Sequence, residues 1–187
     1  FGAELMTAIV EDGEYRGEAA VNLPLSERVA LRLAGSASHR DGWIENVFDG
    51  SDRNESDDWA VRGQFRFDVS DDLVINWGSD FSDKDCVCSQ NTIRSAEPGT
   101  EILEAILPVV PGEENTQNND DGDLSLQVES FGHRLNVDYN FSGFTLTSIT
   151  AYREWNEDFD EDVDNSPEVP IPGSILFSFE QEGTLDQ

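Results

Sequence analysis

Four aspartates recur at every second position, Asp158, Asp160, Asp162 and Asp164, and carry enough carboxylate oxygen to hold a hard cation such as calcium. The spacing fails the EF-hand requirement, because no glycine occupies the sixth position and Val169 stands where that loop places its bidentate glutamate. The run reads as a solvated acidic loop, and no metal ligand is assigned to it. Cys86 and Cys88 are one residue apart, and no further cysteine or neighbouring histidine completes a ligand set. Two readings stand for the pair: loop thiols or a local bridge, which is geometrically demanding between such near neighbours. His39 and His133 have no sequence partner that makes either a general base, and GxSxG, HExxH, P-loop and GxGxxG motifs are absent. Carboxylates are so numerous that any acid–base pair chosen among them is arbitrary. No enzyme and no cofactor is expected.

The 187 residues contain 40 Asp plus Glu against 11 Lys plus Arg, a formal net charge of −29. Such a field repels phosphate, so nucleic acid is not expected as a partner. No apolar run approaches the roughly 20 residues of a membrane helix, since Ile106–Val110 is interrupted by Pro108. That test leaves a β-barrel open. The sequence opens on FGAELMTAIVEDGEYRG without a basic and apolar leader and stops at Leu185, Asp186 and Gln187 without a closing element, which suggests an excised segment.

Period-two alternation dominates the chain. From Trp59 to Asp68 one face reads Trp59, Val61, Gly63, Phe65 and Phe67, and the other Ala60, Arg62, Gln64, Arg66 and Asp68. From His133 to Phe141, Leu135, Val137, Tyr139 and Phe141 oppose Arg134, Asn136, Asp138 and Asn140. Strands are expected over about 3–10, 15–23, 28–38, 59–68, 73–81, 133–141 and 144–155. The last mixes phases, with Leu146 on one side and Ile149 on the other, as a β-bulge would produce. Short turns alternate with long polar loops at about 39–58, 82–132 and 156–187. An up-and-down meander with turns at one end and long loops at the other is the layout of an outer-membrane barrel, and strands of about 9–11 residues suit a bilayer. Within the longest loop, Thr100 followed by EILEAIL predicts a short helix with Ile102, Leu103, Ile106 and Leu107 on one face, ended by Pro108.

In a barrel, Arg32, Arg62, Arg66 and Arg134 face the lumen with Gln64, Asn136 and Asp138, and these arginines are the candidate ligand contacts. Their other role is structural, pairing with acids on neighbouring strands. Trp59, Trp77, Phe81, Phe141, Phe144, Tyr152 and Trp155 fall near strand ends, as interfacial girdles do. The same residues fit the core of a secreted or surface β-sandwich binding calcium or glycan. That alternative requires the apolar faces of Val29, Leu31, Leu33 and of Val61, Phe65, Phe67 to pack on each other.

The segment VNLPLSERVALRLAGSASHRDGWIENVFDG, residues Val21 to Gly50, resembles the early barrel strands of TonB-dependent outer-membrane receptors, through its PLS turn, its ALRLAG strand and its RDGWI lead into an outer loop. WAVRGQFRFDVSDDLVINW, Trp59 to Trp77, resembles the next hairpin, and FTLTSITAYREWNEDFDEDVD, Phe144 to Asp164, a later strand. The resemblance implies an all-β, antiparallel, up-and-down transmembrane barrel segment with long extracellular loops: about seven strands of a barrel of about 22 with a plug in its lumen. It further implies a Gram-negative outer membrane, contact with its lipid, and energy from TonB through a plug domain missing from this segment. The ligand is then a scarce nutrient such as an iron–siderophore complex or another metal chelate.

Overall fold

The structure, a computed structural model, describes all residues except 12, 89, 90, 100–102, 105, 123, 163–165, 168–175 and 187, and only the backbone of 161, 162 and 176–186. Its strands are β1 (Gly2–Val10), β2 (Glu14–Pro24), β3 (Val29–Arg40), β4 (Ile44–Asn46), β5 (Asp52–Arg53), β6 (Ser56–Asp68), β7 (Leu73–Cys86), β8 (Gln117–Asn118), β9 (Ser125–Asn140), β10 (Thr145–Asp162) and β11 (Leu176–Asp186). Eight of them form one antiparallel meander in the order β1-β2-β3-β6-β7-β9-β10-β11. The fold is all-β. The sheet is open, with β1 paired only to β2 and β11 only to β10.

Register decides which side chains share a face, and it sorts the chain cleanly. Leu31, Phe65, Trp77 and Leu135 lie on one transverse row, Val29, Phe67, Ile75 and Val137 on the next, and Leu33, Gly63, Ser79 and His133 on the other side of the first. On this apolar face no Asp, Glu, Lys or Arg occurs along β7 from Leu73 to Phe81, along β6 from Phe67 to Trp59, or along β9 from Tyr139 to Phe131. Nine residues at about 3.4 Å each make a band about 27 Å long along the strand. Aromatic clusters close both ends. Trp59 lies against Phe81 at the outer end, and Phe141 contacts Tyr139 and Phe144 beside the short turns, with centroids 5.1, 4.4 and 4.5 Å apart. Trp77 sits mid-strand rather than at an end, and Trp155, opposite Ser130, falls on the polar face.

Several expectations change. Hydrogen bonding continues past the point where alternation fades: β7 runs on to Cys86, β9 begins at Ser125 and β10 reaches Asp162. Beyond the apolar band both faces are polar, so the hydropathy pattern disappears while the ladder, which needs only backbone groups, does not. The loops expected at 39–58 and 82–132 are correspondingly shorter. The segment expected as a loop at 156–187 instead carries the end of β10 and an eighth strand, β11. No bulge interrupts β10, whose pairing with β9 runs unbroken from Thr145↔Asn140 to Asp160↔Ser125. The mixed phase comes from large apolar residues on both faces of a regular strand, Ile149, Trp155 and Phe159 on the polar side and Leu146 and Tyr152 on the other. Asp158 and Asp160 belong to this ladder rather than to a loop, and Asp164 and Val169 lie outside the described residues. The apolar groups of β3 and β6 required to oppose each other in a sandwich are lateral neighbours in one sheet, Val29↔Phe67 and Leu31↔Phe65, so they do not form a two-sheet core.

The buried core lies in the loops. Ile44, Ile106, Val109, Leu124 and Cys86 are its apolar members, and Asn46, Arg53, Asn118 and Asp120 are buried with them. A three-stranded sheet, β5-β4-β8, joins the loop after β3 to the loop after β7, with β4 antiparallel to β5 and parallel to β8. Gly42 permits its tight packing, since a Cβ there would lie 2.8 Å from the Arg53 carbonyl oxygen. Cys86 and Cys88 are joined in a disulfide at the mouth of this cap, so they are bridged rather than free. Of the expected helix, Leu103 and Glu104 are helical and Ile106 is buried, but Leu107 is exposed and Thr100 and Ile102 lie outside the described residues.

Candidate functional site

Side chains alternate across a strand, so one register relation places many charges at once. Arg16, Arg32, Arg40, Arg62, Arg66, Lys84, Arg134 and Arg153 are all the basic residues in the strands of the large sheet, and all eight project from the face opposite the apolar band. In a chain of net charge −29 this face is where positive charge gathers.

Arg32 shares a row with Asn22, Gln64, Gly78 and Arg134, and the adjacent row holds Glu4, Ala20, Ala34, Arg62, Asp80, Gly132 and Arg153. Arg32 donates to Asn22 Oδ1 at 2.8 Å and reaches Glu4 at 3.5 Å. Asp80 accepts from two arginines, Arg62 at 3.3 Å and Arg153 at 2.7 Å, and Arg153 also donates to the Ser130 hydroxyl at 2.7 Å. Gly132 makes the second of these pairs possible, because a Cβ at that position would lie 2.7 Å from Nη2 of Arg153. An open cleft of about 610 Å³ lies over this region, floored by Ala20, Ala34 and Ala60 and edged by Glu18, Arg32 and Arg62. The small floor residues produce the concavity.

Of the four arginines expected as contacts, Arg32 and Arg62 are brought together at the cleft. Arg134 lies in the row of Arg32, is exposed, and has no ion pair among the described residues. Arg66 lies two residues further toward the short turns, paired with Asp68 at 2.9 Å, and does not line the cleft. Arg153 and Asp80 were missed. The phase that Arg153 shares with Ala151 was obscured by Ile149 and Trp155, large apolar residues on the same face.

The loop cap forms a second polar cluster of another kind. Asp120 is fully buried, and its carboxylate accepts from Arg53 at 3.2 Å and from the Asn118 amide. The Asn46 side chain bonds both backbone groups of Asp120, donating to its carbonyl at 2.9 Å and accepting from its amide at 3.2 Å. The contacts from Arg53 and Asn46 span 67 and 74 residues, and no local pattern announces them. At the margin of the cap, hydrogen bonds from the Ser51 hydroxyl and amide hold the Asp49 carboxyl below its ordinary value.

No protein-family model, curated protein or solved structure matches this chain.

Proposed function

We propose that this chain is a stretch of the wall of an outer-membrane β-barrel receptor of the TonB-dependent type, taking up a scarce nutrient such as an iron–siderophore complex. The observation that carries the reading is the uncharged band: on one face of the antiparallel meander, nine residues in each of the central strands β6, β7 and β9 carry no Asp, Glu, Lys or Arg and are closed at both ends by aromatics, while every Lys and Arg in the strands of the large sheet lies on the opposite face. Spans of about 9–11 residues, outward apolar bands and interfacial aromatics are what a bilayer asks of barrel strands. The apolar side chains are left bare, with Leu5 78%, Ile9 81% and Val61 50% exposed. The surface area is 12319 Å², against about 9,000 Å² for a compact monomer of this mass. Lipid covers such a face without a second sheet. The unpaired edges of β1 and β11 receive further strands of the same barrel, since an open edge is not tolerated in hydrocarbon. The cleft arginines Arg32 and Arg62, with Arg134 and Arg153, then face the lumen, where an anionic chelate is the ligand class that their charge favours.

Tryptophan depth tests the reading. The chain is folded into vesicles whose lipids carry bromine at defined acyl positions, and Trp77 fluorescence is isolated in a variant with Trp43, Trp59 and Trp155 replaced by Phe. Strong quenching by deeply brominated lipid is expected. Quenching by aqueous iodide alone would overturn the membrane assignment.

A further inference from the structure

At the outer end of β3 and β6, beyond the apolar band, a group of side chains converges that the charged face does not use. His39 and Asp57 are directly opposed in the β3–β6 register, and Nδ1 of the ring lies 2.8 Å from Oδ1 of Asp57. On the other side of the ring, Nε2 lies 2.9 Å from Oδ1 of Asp41. Glu55 immediately precedes β6, and one donor atom each from His39, Glu55 and Asp57 all fall within 4.8 Å of one another. Tyr15, the β2 partner of His39, stacks on the imidazole with centroids 6.4 Å apart. We propose that His39, Glu55 and Asp57 bind one first-row divalent cation of the zinc class, with Asp41 as the residue that positions the ring.

Three features support this assignment. Two donors about 2.1 Å from a shared ion, at tetrahedral or right angles, lie about 3 to 3.4 Å apart; His39 and Asp57, at 2.8 Å, already stand near that separation, and Glu55, within 4.8 Å of both, closes on the ion by side-chain rotation. One imidazole with two carboxylates suits zinc and its neighbours, whereas magnesium and calcium prefer all-oxygen shells. With a cation on Nδ1, Nε2–H would donate to Asp41, already 2.9 Å away, which is the carboxylate–histidine–metal arrangement. Without metal, the hydrogen bonds to Asp57 and Asp41 hold the His39 pKa above its ordinary value. Nearby cations are engaged elsewhere: Arg16 pairs with Glu14, Arg40 projects from the other face and donates to the Asn54 carbonyl, and Arg53 is held by Asp120 and Asp49. The site does not depend on the membrane assignment.

Calorimetric titration of the full 187-residue chain with zinc chloride, in millimolar magnesium to occupy diffuse carboxylates, tests the proposal. One tight equivalent is expected above a weak background, with proton release that scales with the buffer's ionisation heat. His39→Asn and Asp57→Asn abolish that equivalent, and Asp41→Asn weakens it about tenfold or more at unchanged stoichiometry. Zinc X-ray absorption shows imidazole scattering that His39→Asn removes. Glu55→Gln lies outside the strand ladder and leaves the fold least disturbed, so its loss of binding counts even where a strand variant loses its wild-type circular dichroism. Several weak equivalents untouched by His39→Asn and Glu55→Gln, full displacement by magnesium, or no zinc heat at all would each overturn the proposal.

Discussion

Asp120 and Arg53 stand 67 residues apart in the chain, yet their charged groups meet at 3.2 Å in a site that solvent scarcely reaches. A buried pair contributes little over a well-packed apolar substitute, but removing one member leaves the other charge stranded, at a cost of about 3–5 kcal/mol. Asp120→Ala therefore unfolds the cap locally, and hydrogen exchange at the Asn46 and Asp120 amides accelerates by two or more orders of magnitude. Asp121→Ala, next to it and exposed, changes exchange little, within about 0.5 kcal/mol. Equal exchange in the two variants would show that the pair does not hold the cap. None of this was legible in the sequence, where Asp120 is one acid in the polar run Gln117 to Asp123. Burial of a particular carboxylate is a property of what packs over it, and here that is supplied by Asn46 and Arg53 from a distant loop, with Asn118 beside it in sequence. The cation cluster was divided in the same way. Arg32 and Arg62 were legible because strict alternation placed them on the polar side, while Arg153 became visible only when the register joined it to Asp80.

At the scale of the strand, neighbouring positions in β6 face opposite environments, and the contrast yields a sharp expectation. Phe65 lies in the middle row of the apolar band beside Leu31 and Trp77, and Gln64 faces the other way beside Arg32 and Gly78. On the membrane assignment, a lysine at the bilayer midplane costs about 2–4 kcal/mol and a lumen substitution far less. Phe65→Lys is expected to lower folding stability in vesicles by that amount in a urea titration, and Gln64→Lys to leave the midpoint nearly unchanged. Similar midpoints for the two variants would mean that lipid does not contact Phe65. The strands were readable because alternation at period two requires only that one face meet an apolar environment. Their outer ends were not, because from Asp57, Asp83 and Glu129 outward both faces carry polar residues and composition resembles loop. The small sheet β5-β4-β8 was likewise hidden: strands of two or three residues are too short to carry a period.

For the whole molecule, charge segregation between the two faces is the feature on which the proposed function rests. Asp80 bridges Arg62 and Arg153 at the edge of the cleft, so on the receptor proposal a ligand and the wall would compete for the same guanidinium groups. In a receptor containing this chain, Arg62→Ala combined with Arg153→Ala is expected to reduce uptake of an anionic chelate about tenfold or more, at the strength of one or two charge-assisted hydrogen bonds, with membrane insertion unchanged. Normal uptake would leave these arginines as braces for Asp80 alone. The all-β antiparallel class, seven of the eight long strands and the polarity of each face along β6, β7 and β9 were determined by the sequence by itself, because alternation is a local quantity. The tertiary structure alone decided the eighth strand, the unbroken register of β10, the Asp80 bridge, the buried Asp120 pair and the meeting of His39 with Asp57. Each of these depends on which residues lie opposite each other across strands or loops, and register is a relation between segments that neither segment encodes alone.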